Sequence, residues 1–325
     1  MTLTTPGNEI IGPWNPGIKS TLPSNYLPLS TMFRHENVTT TYETVTELSE
    51  FTGLPIQQLV CFRAERLVVH ELLIRVSANI FVSDGSKYED LGVNFRKVVG
   101  TILNDYIQPH MAEIIHRFYE MQQQVKLAVD LELSRVLFAE PVIPSENEKT
   151  SRFKDFFRAK KKKRKLDWPE SVELRDQRLI FLWQQKVETS TDSMHQSIFR
   201  ALVKIANAIV IKHGRLVGEK PLLSLLITGL VCNEYGSEMM GEMISPYIND
   251  AAIKEGYLIL PPQEEPIIIN VKGASASGKS TMRPLQKKHT EALGINWHDF
   301  ALISPDIWRK YLLDYEALGD AYKYA

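Results

Sequence analysis

The sequence predicts a mostly α fold: a helical N-terminal domain followed by an incomplete α/β unit. Three observations carry this. From Thr46 to about Glu255, apolar residues recur mainly at i, i+3, i+4 and i+7. At Pro266-Ile-Ile-Ile-Asn-Val271 the pattern changes to a β-branched run of strand length. A loop of small residues bounded by glycines then leads into a second helix-compatible stretch. The predicted organisation is an extended or disordered arm over 1–32, a helical domain over 33–260 and an α/β unit over 261–325.

The arm is punctuated by Pro6, Pro13, Pro16, Pro23 and Pro28 and lacks the basic and apolar regions of a signal peptide. Thr52-Gly-Leu-Pro55 reads as a helix start. The next helix runs through Val60, Ala64, Leu67, Leu72 and Val76 to about Ile80, and Ser83-Asp-Gly-Ser86 breaks it. A helix over 94–105 follows. Pro109 starts or kinks a longer one through Met111, Ile114, Phe118, Met121, Val125 and Val129 to Phe138. After a loop over 141–151, helices are predicted from Glu170, over 194–213 with Gly214 as the stop, over 221–233 and over 238–255. Pro246 is a kink or boundary in the last. Tyr257 to Glu265 reads as a linker.

Composition limits the function classes. Hydrophobic residues at 44% and charged residues at 24% are those of a soluble globular chain. Lys and Arg number 38 against 39 Asp and Glu. Six of the bases are consecutive, Lys160 to Lys165, so the rest of the chain is acidic and nucleic-acid binding by the whole surface is not indicated. The run itself suits a solvated loop; RNA, an acidic membrane or an import receptor are alternatives. Cys61 and Cys232 read as buried free thiols of a reducing compartment. The longest apolar stretch, Leu222 to Val231, is too short for a bilayer, and the expected location is cytoplasmic. The histidines form no H-E-x-x-H or Cys/His set, and no G-x-S-x-G elbow occurs.

The chemistry is concentrated at Gly273-Ala274-Ser275-Ala276-Ser277-Gly278-Lys279-Ser280-Thr281. This is G-x-x-x-x-G-K-S, a phosphate-binding loop. Its small residues let backbone N–H groups turn inward around a polyphosphate, Lys279 can reach the terminal phosphates of ATP, and the Ser280 hydroxyl can ligate Mg²⁺. The β-branched run before it and the helix from Lys279 to Leu293, stopped by Gly294, supply the context the motif needs. Pro284 falls about one and a half turns into that helix and should bend it.

Phe300-Ala-Leu-Ile303 reads as the next parallel strand, which puts Ser304-Pro305-Asp306 at its carboxyl end, where ligands bind in open α/β sheets. A carboxylate at Asp306 can take the proton of an attacking hydroxyl. It can equally cap a helix beginning at Ile307. Arg309 follows as a candidate contact to an anionic substrate.

The segment from Ile267 to about Leu313 resembles the zeta-toxin family of P-loop kinases: a strand, the loop GASASGKST, a helix, a short apolar strand, then Pro305-Asp306-Ile-Trp-Arg309. The resemblance implies ATP-dependent phosphorylation of a small hydroxyl substrate, a UDP-N-acetyl amino sugar in the characterised bacterial toxins. It gives Lys279 to the ATP phosphates, Ser280 to Mg²⁺ and Asp306 to the substrate hydroxyl. Two features depart from the family. Ser304 stands where a second acid is common, and the later arginines that clamp the γ-phosphate are not in the chain. A strand–helix–strand unit takes about 30 residues, so Gly273 to Ala325 holds one such unit and the start of another helix. The expectation is an inactive fragment of such a kinase. The alternative is a helical interaction or regulatory module, with a protein partner and a nucleotide-sensing or vestigial loop.

Overall fold

A computed structural model describes residues 37–85, 90–138, 172–273, 278–305 and 307–308, with the side chains of residues 172, 173, 279 and 280 outside the description. The predicted arm, the loop over 141–151 and the Lys160–Lys165 run lie outside the described residues. Eight α-helices are described: α1 (Tyr42–Thr52), α2 (Ala64–Asn79), α3 (Asp90–Thr101), α4 (Met111–Val136), α5 (Val172–Thr189), α6 (Ser193–His213), α7 (Lys220–Lys254) and α8 (Arg283–Ala292). Among the described residues β structure is limited to two isolated antiparallel bridges, Val38 to Phe62 and Ile80 to Ile259. The chain is therefore mostly α. No helix of the described residues is long and apolar enough to cross a membrane.

The described residues form two compact units. One takes the chain up to Thr46, Ile56–Gln122 and the part from Cys232 onward; the other takes Glu47–Pro55 and Gln123–Val231.

In the first unit, α2 buries Leu67, Val68, Leu72 and Val76, the stripe expected of a core-facing helix. Its start is at Ala64, not before Val60. Residues 60–62 are held instead in an extended segment by the side chain of Asn233, which accepts from Phe62 N at 3.0 Å and donates to Val60 O at 2.6 Å. Thr39 N also donates to Cys61 O at 2.9 Å, so this backbone is bonded on both edges. The α2–α7 contact is polar as well as apolar. Buried Glu71 accepts from Ser237 Oγ at 2.7 Å, and Arg75 donates to Ser245 Oγ at 3.0 Å. Gly241 makes this possible, because a Cβ there would collide with the Arg75 guanidinium and the Glu71 carboxylate. At Gly236 a Cβ would stand only 3.0 Å from the Phe118 ring, so α4 and α7 approach closely there too.

The helix predicted over 94–105 is α3, whose residues Leu91, Phe95 and Val99 face the core. It passes into a π-helical turn, Ile102–Ile107, then a 3₁₀ turn, Gln108–His110. Gln108 N donates to Leu103 O, the widened π spacing. Pro109 lacks an N–H and cannot continue the i−4 ladder, which explains why the irregularity lies here.

In the second unit, α5 and α6 pack against each other, and Ile180, Trp183, Ile198, Leu202 and Ile205 on them are buried. Asp192 caps α6 by accepting from His195 N at 2.7 Å, and Gly214, at φ 74°, ends it where the sequence placed the stop. Asp176 is fully buried and accepts from Leu216 N at 2.6 Å. Thr52-Gly-Leu-Pro55 is a helix stop and not the expected start. Gly53 takes φ 79° after α1, the left-handed conformation a glycine terminator provides, and Pro55 lies beyond the helix end.

The two helices predicted over 221–233 and 238–255 are one 35-residue helix, α7, with Pro246 inside it. Pro246 and Glu242 are both exposed, so water can satisfy the Glu242 carbonyl that the proline leaves without a donor.

Candidate functional site

The approach to the phosphate-loop motif begins at the end of α2. Phe81 N donates to Leu258 O at 2.8 Å and Leu260 N donates to Asn79 O at 2.9 Å. Pro261 and Pro262 then end this pairing, since neither can donate. The run Pro266–Val271, expected as a strand, has no regular secondary structure and no ladder among the described residues. Its apolar side chains are open to solvent, with Ile268 85% exposed. The run 300–303 likewise has no ladder among the described residues; Ile303 is 65% exposed, while Phe300 and Leu302 are half-buried. A strand is defined by its partner, and β-branched composition supplies none.

Gly273 and Gly278 are described; Ala274, Ser275, Ala276 and Ser277 lie outside the described residues. Gly278 has φ 81°, and a Cβ placed on it would stand 3.2 Å from Thr281 Oγ1. Thr281 folds back on the glycine, donating to Gly278 O from its N at 3.1 Å and from its hydroxyl at 2.6 Å. The glycine thus sits in a left-handed turn that L-residues disfavour, with a side chain already against it.

Lys279 and Ser280 begin a 3₁₀ turn, Lys279–Met282, and α8 begins at Arg283. Pro284 therefore stands in the first turn of the α-helix and not in its interior, where it was expected to bend the axis. The 3₁₀ turn takes up the offset. The end of α8 matches expectation: Gly294 has φ 75°, and Ile295 N donates to Thr290 O at 3.0 Å.

Beyond α8, Asn296 Oδ1 accepts from His298 N at 3.2 Å and starts the 3₁₀ turn Trp297–Asp299. Trp297 is buried and its ring lies 5.4 Å from that of Phe300. His298 faces Phe81 with ring centroids 4.7 Å apart. Ser304 O accepts from Ile307 N at 3.1 Å and from Trp308 N at 3.4 Å, and Pro305 is the first helical residue. The backbone cap position of this turn is thus Ser304, with proline in the next place where it is favoured. Asp306 and Arg309 lie outside the described residues. Trp308 donates its indole N–H to Ser77 Oγ at 3.0 Å, and a Cβ on Gly92 would lie 3.9 Å from Ile307 Cγ1.

Ser77, Phe81 and Gly92 thus touch the segment that follows α8, and nothing in their own sequence neighbourhood marks them. Ser77 is a small polar residue on a buried helix face, and only its long-range partner gives it meaning.

Burial pushes the Cys61 thiol up to about 11 and the Cys232 thiol up to about 12, with the charge of Cys61 adding to the latter. Both are poor nucleophiles at neutral pH. Burial, with the Arg66 charge, holds His70 below its ordinary range. Among the described residues no group of three or more His, Cys, Asp or Glu is placed to hold a metal ion. No family model, curated protein or solved structure matches the chain.

Proposed function

We propose that this chain carries the nucleotide-binding part of a zeta-toxin-like kinase, which transfers phosphate from ATP to a hydroxyl of a small molecule, a nucleotide sugar being the expected class. The observation that carries the reading is Gly278. Its left-handed turn, with Thr281 folded onto it and a helical turn opening at Lys279, supports a close backbone turn at the end of the motif, as a phosphate-binding loop would use. A side chain at that position would fill the turn.

Lys279 would hold the terminal phosphates, Ser280 would hold Mg²⁺, and the backbone of Gly273 to Thr281 would line the cradle. Mg²⁺, when bound, offsets the charge of the phosphates. Asp306 accepts the proton of the substrate hydroxyl as its oxygen bonds to the γ-phosphorus and the bond to ADP breaks. Arg309 contributes positive charge to an anionic acceptor. The two free cysteines suit a reducing compartment, and we place the protein in the cytoplasm.

Calorimetry with MgATP tests the reading. The wild-type chain should bind, and Lys279→Ala should weaken binding sharply while the helical units stay folded. In the natural full-length polypeptide the substitution should also abolish phosphoryl transfer. A wild-type chain with no affinity for MgATP, or a variant that retains turnover, overturns the assignment.

A second reading is favoured by the solvent-open run at Ile267, Ile268 and Ile269. There the helices are an interaction or regulatory module for a protein partner, and the loop senses nucleotide or is vestigial. Nucleotide binding without transfer to any hydroxyl acceptor in the full-length polypeptide distinguishes it.

A further inference from the structure

We propose that Arg66 and His70, one turn apart on α2, form a binding site for a phosphate-type oxyanion, separate from the phosphate loop. The proposal does not depend on the kinase reading above.

The observation that carries it is a guanidinium without an acceptor. Arg66 is half-buried on α2, and its Nη1 is sealed from solvent with no hydrogen-bond partner. Among the described residues no carboxylate or ring is paired with it, and burial alone holds its pKa below the ordinary range. Two other arginines also bury a nitrogen, but each is bonded through another: Arg75 donates to Ser245 Oγ at 3.0 Å, and Arg200 donates to Ser197 Oγ at 3.0 Å. A guanidinium keeps its charge at every ordinary pH. Burying one unpaired is costly, so such a group calls for an anion.

His70 lies four residues on, so the two side chains leave the same face of the helix. It too is half-buried. Burial and then the Arg66 charge lower its pKa, while Glu71 acts in the opposite direction. Glu71 is committed elsewhere: its carboxylate accepts from Ser237 Oγ at 2.7 Å and lies 3.6 Å from Arg75 Nε.

The chemistry of the pair selects the ligand. Arginine presents a planar fork of N–H donors that matches two oxygens of a phosphate. A neutral imidazole adds one N–H donor, and it can take up a proton once an anion offsets the Arg66 charge. One fixed positive charge and one inducible charge suit a dianion better than a monoanion. The other Arg66 nitrogens are not sealed, so an anion can approach from solvent.

The test is a titration of the full chain with inorganic phosphate, at an ionic strength held constant with chloride. The His70 ring proton is followed by NMR, and His70→Gln identifies its signal. In wild type the signal should shift saturably, and the His70 pKa should rise when phosphate is present. Arg66→Met keeps the apolar stem and removes the charge. It should weaken phosphate binding here by about 10–100-fold, as for a lost hydrogen bond to a charged group. Reading the His70 ring keeps phosphate held at the Gly273–Thr281 loop out of the result. The second measurement is thermal unfolding in phosphate-free buffer, where Arg66→Met should melt no lower than wild type, because it removes an unpaired charge.

A His70 signal that phosphate does not move overturns the site. An equal response in Arg66→Met overturns the role of Arg66. A variant that melts lower than wild type in phosphate-free buffer means that Arg66 is already paired within the fold, and the proposal fails. Acetate binding as tightly as phosphate in the same titration overturns the assignment to a dianion.

Discussion

The Glu132 carboxylate on α4 accepts two hydrogen bonds through one oxygen, from Trp183 Nε1 at 3.0 Å and from Lys186 Nζ at 2.6 Å, both on α5. Trp183 is among the largest fully buried side chains, so its indole N–H needs a partner inside the protein. The carboxylate provides it, and Lys186 provides the countercharge. Burial by itself would raise the Glu132 pKa; the bonds from Lys186 and Trp183 outweigh it and hold the group below the ordinary carboxylate range.

Acid should therefore weaken this α4–α5 contact. The folded-state pKa is depressed, so the contribution of Glu132 is fully present above its unfolded value, near 4.5, and is lost as pH falls through the lower folded value. Glu132→Gln should cost about 1–3 kcal/mol at neutral pH, since it removes a charged acceptor from a buried donor. Urea unfolding from pH 7 to pH 3 checks both points: the difference between wild type and variant should shrink below pH 4.5. A constant difference across that range would assign the effect to packing.

Gly278→Ala tests the loop without touching a charge. The substitution forces a side chain into φ 81° and brings a Cβ to 3.2 Å from Thr281 Oγ1. The turn should open, at a cost of about 1–2 kcal/mol for a left-handed L-residue, and MgATP affinity should fall at least as far as in Lys279→Ala. Thermal unfolding of the helical units should move little, because the turn contributes no apolar core. Undiminished ATP affinity in this variant would mean that the turn is not the cradle.

Asp306→Asn separates a proton acceptor from a structural residue. Asn keeps the size of the side chain and can still accept a capping hydrogen bond, but it cannot take a proton. In the full-length polypeptide, turnover should fall roughly 10²–10⁴-fold, the range of a general base, with ATP affinity and melting temperature nearly unchanged. Equal turnover in variant and wild type would remove Asp306 from the catalytic residues.

The sequence by itself determined the elements whose signal is local. The apolar stripe of α4, with Met111, Ile114, Phe118, Met121, Val125 and Val129 facing inward, follows from 3.6-residue spacing alone. The stops at Gly214 and Gly294 are legible because only glycine is comfortable at positive φ. The phosphate-loop motif is legible because it is contiguous. The sequence was ambiguous where one residue type serves two ends of a helix: Thr52-Gly-Leu-Pro55 contains both a glycine stop and a proline start, and the tertiary setting selected the stop. Likewise Pro246 did not divide α7, because an exposed proline costs a bond that water replaces. What only the tertiary structure decided are the pairings of residues far apart in the chain: Asn233 with the backbone around Cys61, Glu71 with Ser237, Glu132 with Trp183, and Ser77 with Trp308. The physical reason is that a hydroxyl or carboxylate on a helix has no periodicity of its own. Its partner is fixed by how the helices pack, and that packing is set by the apolar faces around it.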